Sequence, residues 1–254
     1  MHRQLNPLIL SLSAILLCGC SSKINRTLSP PADTKWVNVE IKNPSPYTKP
    51  FPLEVKYISH QCLKKRVSGF DGSVITEPSY NAIQIPLQQQ SGDIWQGKVA
   101  RVGGGSCKWT LSAVTLGIEY IEATHLGKDL VLGTAVGVTL EFDDNKYRNQ
   151  WLKSVEGNLH LSPKYYPYIK EKKIDKIENS VSLFGKDDFL SLRAKNLRKI
   201  TYNPLIDESK ITKLIGNEKK IKGVYPKIIY PDGSIAPERT LFPNFDKVDR
   251  MKVK

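Results

Sequence analysis

Two residues that could act as nucleophiles, Ser106 and Cys107, directly follow the three glycines at 103–105. A serine or cysteine presented on a glycine loop is an arrangement used in nucleophilic catalysis. The serine elbow of hydrolases, however, is a Gly-x-Ser-x-Gly turn between a strand and a helix, and a strand-like run follows these residues instead. Glycines also fill hairpin turns that need positive φ. The pattern therefore favours a turn over an active site.

The first twenty residues have the organisation of a secretory signal. A short basic start, His2 and Arg3, precedes a mostly apolar run at residues 8–17. A membrane-spanning helix needs about 20 apolar residues. This run is too short to span a bilayer, and it indicates an export signal.

The signal ends in the residues LCGC, which resemble the bacterial lipobox. The resemblance implies that residues 1–19 are removed and that Cys20 carries the lipid. The composition of residues 20–35, with Pro30 and Pro31, predicts an extended tether. No aspartate follows Cys20, which in that sorting pattern implies the outer membrane, with the protein facing the periplasm. The alternative is an ordinary cleaved signal with two incidental cysteines.

Only two cysteines remain for the folded part of the chain. Of the four in the sequence, Cys18 leaves with the signal and Cys20 is acylated, so Cys62 and Cys107 are left. The periplasm oxidises thiols, and two cysteines there pair most simply with each other. We therefore expect a Cys62–Cys107 disulfide, which leaves Cys107 without a nucleophilic thiolate.

The charge of the chain is uneven along its length. The 254 residues include 38 Lys and Arg against 25 Asp and Glu, a net charge of +13. Residues 20–145 have 13 basic and 12 acidic side chains, whereas residues 146–254 have 24 and 13. We therefore predict one domain over residues 36–145 and a basic region over residues 146–254.

Alternating apolar residues predict strands in the first half. Leu53, Val55 and Tyr57 would share one face, and a later run changes parity near Ser112, which predicts a β-bulge. A further long strand is predicted over residues 129–145. Short strands, glycine and proline turns and one disulfide together predict an antiparallel, sandwich-like β-domain.

The second half has a mixed pattern. Leu190, Ala194 and Leu197 have helical spacing, which predicts a short helix over residues 186–200. Two short strands are predicted about a turn at residues 231–233. The expected fold is mainly β, with an α+β or irregular basic second half.

The sequence contains no recognisable catalytic, metal or phosphate site. His60, His125 and His160 have no partners at ligand spacing, and no His-Glu-x-x-His motif occurs. The three glycines precede a strand-like run rather than a helix, so they do not form a phosphate loop. We therefore expect a protein without cofactor, metal or enzymatic activity.

Three features resemble one protein family. The lipobox, LEVKYISHQC at residues 53–62 and, above all, GGGSCKWTLSAVTLGIEY at residues 103–120 are similar to the immunity lipoproteins of type VI secretion phospholipase effectors. The resemblance covers about residues 17–142 and stops short of the basic second half. It implies a periplasm-facing inhibitor that binds a delivered lipase and blocks its active site.

The basic second half offers an alternative function. An anchored envelope protein does not meet nucleic acid, so the expected anionic partners are acidic proteins, lipid headgroups and cell wall. The alternative is a structural outer-membrane lipoprotein that binds anionic lipid or cell wall through residues 146–254. For a toxin inhibitor, aromatic and basic side chains are the expected anchors, although the same side chains could equally pack in the core. The candidates are Arg101, Lys108, Trp109, Tyr165, Tyr166 and Tyr168.

The lipobox yields the first testable prediction. Cells fed a palmitate analogue should label the wild-type protein, and Cys20→Ala should remove the label because it removes the acylated sulfur. The label is measured on the immunoprecipitated protein. Cys18→Ala is the matched control, and this variant should still be labelled. Label that persists in Cys20→Ala would show that the lipobox assignment is wrong.

Overall fold

The computed structural model describes residues 23–143, 151–174 and 177–252. Cys20 and the predicted cleavage site therefore lie outside the described residues. Strands dominate the described part, which also contains one short helix near its end. The elements are β1 (Trp36–Lys42), β2 (Thr48–Pro50), β3 (Leu53–Val67), β4 (Val74–Ile85), β5 (Gln88–Ser91), β6 (Ile94–Ala100), β7 (Val102–Gly104), β8 (Trp109–Tyr120), β9 (Leu130–Leu132), β10 (Val136–Glu141), β11 (Ser154–Leu161), β12 (Lys164–Lys172), β13 (Glu178–Phe184), β14 (Phe189–Tyr202), β15 (Leu205–Ile206), β16 (Thr212–Ile215), β17 (Lys227–Ile229) and α1 (Phe245–Arg250).

The strands form two sheets. The larger has the order β4-β3-β8-β10-β14-β1-β6-β5, with β2 and β7 also paired to β8 and β11 paired to β14. The smaller has the order β17-β16-β12-β13-β9, with β15 beside β12. In the larger sheet most neighbours are antiparallel, but β1, β10 and β11 all run parallel to β14. In the smaller sheet β15 and β16 run parallel to β12, and β9 runs parallel to β13.

The larger sheet curls back on itself at Arg101. This residue alone separates β6, which pairs with β1, from β7, which pairs with β8. The Arg101 N–H donates to Lys35 O (2.9 Å), and Arg101 O accepts from the Leu111 N–H (2.9 Å). The curl lets apolar side chains from many strands meet in one core.

One apolar cluster includes residues of both sheets. Trp109 and Leu116 of the larger sheet belong to it, together with Tyr165 and Val181 of the smaller sheet, and all four are buried. A second, smaller cluster surrounds Val248 of α1. This arrangement confirms the expected mainly β, sandwich-like fold.

The predicted strand faces are correct where the alternation is regular. Leu53, Val55 and Tyr57 are buried while Glu54 is exposed. The predicted bulge is also confirmed, because Lys56 pairs with Ala113 and Tyr57 with Leu111, which leaves the intervening residue of β8 as the extra one. Because of this bulge, the large buried apolar residues of β8 are odd-numbered before it and even-numbered after it.

Two sequence predictions of secondary structure are wrong. The helix expected over residues 186–200 is instead the long strand β14. The strand expected over residues 129–145 is broken, since β9 pairs with β13 in the smaller sheet and β10 pairs with β8 in the larger one. Gly133 lies at the break, where a Cβ atom would collide with Ser182 Oγ and lie 2.8 Å from Val181 O.

The charge boundary near residue 145 does not separate the sheets. β14 comes from the basic second half, yet it pairs with β10 along residues 189–193 and with β1 along residues 199–202. Its other edge pairs with β11. The larger sheet is therefore built from both halves of the chain.

The tether predicted over residues 20–35 is docked onto the fold from residue 24 onward. We call residues 24–34 the N-terminal strap. The Ser29 N–H donates to Gly103 O (2.8 Å), and the Trp109 indole N–H donates to Asn25 O (3.1 Å). Ile24 and Leu28 pack against the main core.

Cys62 and Cys107 form the expected disulfide, with Cα atoms 5.3 Å apart. Cys62 lies in an irregularity of β3, where residues 60–62 are extra between the pairs formed by Ser59 and Leu63. Ser59 Oγ holds this irregularity, because it accepts from the Cys62 N–H (2.9 Å) and donates to Cys107 O (2.5 Å).

Loss of the disulfide should destabilise the fold. The bridge joins residues 45 apart, and closure of such a loop is worth about 4 kcal/mol on the chain-entropy model. We expect Cys62→Ala/Cys107→Ala to lose several kcal/mol of unfolding free energy, measured by urea denaturation. Wild type under reducing conditions should show a similar loss. An unchanged urea midpoint would contradict this expectation.

Candidate functional site

The glycine turn has the backbone of a tight turn packed against the N-terminal strap. Gly104 and Gly105 both have positive φ (62° and 72°), and Ser106 is exposed behind them. A Cβ atom at either glycine would collide with a backbone carbonyl of the N-terminal strap. With Cys107 in the disulfide, the turn holds the strap and presents no free thiol.

Three of the six predicted partner-binding residues are buried. Trp109, Tyr165 and Tyr166 have at most 2% of their surface exposed, so their side chains are not available to a partner and those assignments are wrong. Tyr165 and Tyr202 share a hydrogen bond (2.8 Å) in the core, where burial raises the pKa of Tyr165 to about 12. These side chains are part of the packing.

Arg101, Lys108 and Tyr168 are accessible but do not form one site. Lys108 is exposed in the glycine turn, with φ of 48°. Arg101 lies in a cavity of about 710 Å³, where its guanidinium is 6.0 Å from the ring centre of Phe142. Asp143 and other charged groups of both signs line that cavity, so its charge does not select one kind of ligand.

Tyr168 lines a different cavity, which we call the Phe242 cleft. The cleft has a volume of about 640 Å³ and combines aromatic with basic side chains. Tyr168 packs edge-on against Phe184, with ring centres 6.1 Å apart. The charged residues of the lining are Lys170, Lys186, Asp188 and Asp246. Phe242 is 75% exposed at its rim.

The segments beside this cleft carry further exposed apolar side chains. We call residues 216–226 and 231–244 the C-terminal loops. Arg239 has a φ of 69° and its guanidinium lies 5.6 Å from the ring centre of Tyr225, which joins the two loops. Exposed large apolar residues in these loops are Ile221, Val224, Tyr225, Ile235, Leu241 and Phe242.

Sequence reasoning missed the C-terminal loops because they lack periodicity. It did predict the turn at residues 231–233, and the Tyr230 N–H bond to Ser234 O (2.9 Å) confirms that hairpin. Its second strand is a single bridge between Ile229 and Ile235. The only signal for the surface was the interleaving of Lys with Tyr and Ile before residue 228.

Helix α1 fixes the position of the Phe242 cleft. Asn244 caps the helix by accepting from the Lys247 N–H (2.9 Å), and Phe245 packs 5.7 Å from the Tyr166 ring centre. Asp249 accepts from Tyr166 Oη (2.5 Å) and from Lys164 Nζ (3.0 Å). The Tyr166 hydrogen bond, followed by that of Lys164, lowers the pKa of the Asp249 carboxyl.

The described residues contain neither a cluster of metal ligands nor a membrane-spanning helix. Across residues 23–143, 151–174 and 177–252, no group of three or more His, Cys, Asp or Glu side chains is placed to hold a metal ion. Within the same ranges, no helix has the length and apolar character to span a membrane.

Comparisons with known proteins give no assignment. A scan against family models, a search of curated proteins and a search of solved structures each found no match. The resemblance to immunity lipoproteins therefore stays a prediction.

Replacement of Asp249 should loosen α1. A hydrogen bond to a charged group contributes about 1.5–3 kcal/mol, less where solvent reaches it, so we expect Asp249→Asn to cost about 1 kcal/mol. A carboxyl group whose pKa is lowered in the folded state stabilises the fold when the pH is above the ordinary Asp pKa of about 3.9. This stabilisation is lost as the pH falls through the pKa of the folded state. The difference in Tm between wild type and Asp249→Asn should therefore shrink in acid.

Asp246→Asn is the matched control, because Asp246 is exposed on the same helix. It should leave Tm and its pH dependence nearly unchanged. Equal effects of the two substitutions would show that the Tyr166 and Lys164 contacts do not hold the helix.

Proposed function

We propose that the protein is a lipid-anchored immunity protein that binds and neutralises a type VI secretion lipase effector through its C-terminal loops. One observation carries the proposal, namely the exposed aromatic and aliphatic side chains of those loops beside the Phe242 cleft. Soluble proteins rarely expose large apolar patches unless a partner covers them. The anchor on Cys20 and the lipase partner come from the sequence resemblance.

The chemistry of these loops is that of a protein-binding surface. Tyr225 and Arg239, whose side chains are stacked, are of the residue types that contribute most to the binding energy of protein interfaces. Phe242 offers an aromatic anchor, and the Phe242 cleft beside it is concave enough to receive a side chain of the partner.

The alternative of a diffuse anionic-surface binder makes different demands. Binding to lipid headgroups or cell wall by charge alone needs lysines, and salt screens it within about 10 Å at 0.1 M. Exposed Leu241 and Phe242 contribute nothing to such binding, whereas they contribute apolar area to a protein interface. The apolar residues thus favour a protein partner.

Neutralisation predicts a phenotype in co-culture. A strain without this gene should be killed by its parent when the parent fires its secretion system, and the full-length chain should restore survival. Tyr225→Ala/Phe242→Ala should fail to restore it, because loss of a hot spot costs about 2 kcal/mol, or roughly 30-fold in affinity.

The matched control is Trp151→Ala, which removes another aromatic side chain that is 85% exposed. This variant should protect as well as wild type, at equal abundance in the membrane fraction. Survival of the gene deletion beside an armed parent would refute the immunity function. Full protection by Tyr225→Ala/Phe242→Ala would refute the assigned surface.

A further inference from the structure

A second exposed apolar feature lies far from the C-terminal loops in the sequence. Beyond the disulfide irregularity, β3 and β4 continue as a two-stranded ribbon from the pair Leu63–Pro78 to the pair Val67–Val74. The turn at residues 68–73 closes it, with a hydrogen bond from the Ser68 N–H to Ser73 O (2.8 Å). We call residues 63–78 the ribbon.

One face of the ribbon and its tip are apolar and exposed. Directly paired residues share a face of a sheet, so Leu63, Val67 and Val74 lie on the same side. Val67 and Val74 are 66% and 64% exposed, and Phe70 at the tip is 99% exposed. These side chains lose contact with water only if something outside the described fold covers them.

The opposite face of the ribbon is held by ion pairs. Lys64 Nζ and Arg66 Nε lie 3.0 and 3.1 Å from the carboxylate oxygens of Glu77. The exposed apolar side chains of the two strands thus lie on one face, which also carries the pair Lys65–Thr76.

The N-terminal strap ends at the base of the ribbon. Asn81 of β4 donates to Arg26 O (2.9 Å), three residues along β4 from Pro78. Asn25 O contacts the indole of Trp109, two residues from the disulfide cysteine at 107. The chain therefore leaves the described fold beside the disulfide that marks where the ribbon begins.

The lengths of the two segments match. Cys20 and Ile24 are four positions apart, which allows the anchor to lie up to about 14 Å from the strap at about 3.5 Å per residue. Leu63 and Val67 of the ribbon are also four positions apart, which corresponds to about 13 Å at about 3.3 Å per residue. The Phe70 tip and a lipid on Cys20 can thus reach the same plane.

We propose that the ribbon inserts its tip into the phospholipid leaflet that holds the lipid anchor. Phe70 would enter the boundary between headgroups and acyl chains, with Val67 and Val74 behind it, as apolar side chains of interfacial elements do. Lys65 on the apolar face and Lys108 beside the disulfide would meet anionic headgroups. The occupant is a lipid surface because the anchor, which is part of the proposed function, would keep this end of the molecule at one.

The turn itself limits the depth of insertion. The Asp71 carboxylate accepts from Ser73 Oγ (2.8 Å) and from the Ser73 N–H (3.1 Å), and hydrogen bonds from Ser68 and Ser73 lower its pKa. An ionised carboxylate one residue from Phe70 must remain among the headgroups. The ribbon therefore acts at the interface and does not enter the bilayer centre.

Vesicle binding tests the proposal without the lipid anchor. Residues 20–254 with Cys20→Ser, exported behind a cleavable signal so that the disulfide forms, contain every residue of the described fold. This protein should sediment with vesicles of phosphatidylethanolamine and phosphatidylglycerol. Phe70→Ser/Val74→Ser should weaken binding about tenfold or more, since both side chains would lose apolar burial. Trp151→Ser, at an aromatic side chain that is 85% exposed outside the ribbon, is the matched control that should bind the vesicles as well as wild type.

Insertion is separated from surface attraction by a Phe70→Trp variant. Lipids with brominated acyl chains should quench more of its fluorescence than of the wild-type protein, whose four tryptophans give the background. Unchanged Tm and an intact disulfide in each variant exclude misfolding.

Three outcomes would overturn the proposal. The first is that the unlipidated wild type does not sediment with the vesicles. The second is that Phe70→Ser/Val74→Ser sediments as well as wild type. The third is that a ribbon variant still binds vesicles but no longer binds the toxin. The last would make the ribbon a partner contact. Vesicle binding together with failed protection in co-culture would instead refute the immunity function and leave the ribbon assignment standing.

Discussion

The structure depends on one apolar core that takes buried side chains from both sheets. Residues from β8 and β14 meet residues from β12 and β13 in a single cluster, and the Tyr165–Tyr202 hydrogen bond satisfies two hydroxyl groups inside it. This burial fixes where the outward-facing loops begin. The ribbon continues β3 and β4 of the larger sheet, and the C-terminal loops follow β16 and β17 of the smaller one. Both surfaces therefore extend from packed strands, and such preorganisation lowers the entropic cost of binding.

The sequence predicted most of the strands that alternate regularly, because a half-buried strand repeats every two residues. It failed on β14 for a local reason. Leu190, Ala194 and Leu197 have the spacing of a helix, but Asn196 has a φ of 48° and the pairing with β11 shifts register beside it. An irregularity that inserts residues into a strand thus imitates helical spacing, and only the partner strands distinguish a strand of this kind from a helix.

The site was less predictable than the fold because residue type does not report exposure. Trp109, Tyr165 and Tyr166 were reasonable anchors by type, but they are buried. Phe70 and Phe242 are exposed, yet each lies in a loop without a periodic pattern. The glycine turn was interpreted correctly, although nothing in the sequence indicated that its backbone would contact the strap.

The position of β14 in the larger sheet has a consequence for how the chain folds. Lys199 Nζ bonds to Glu40 Oε2 (3.1 Å) across 159 residues, beside the parallel pairing of β1 with β14. Pairing over such a distance is slow, and the edges of β1 and β10 that receive β14 stay open until it arrives. Open edges recruit other chains. A chain truncated before residue 189 therefore exposes two strand edges and is prone to aggregate, which makes the first half dependent on complete synthesis of the second.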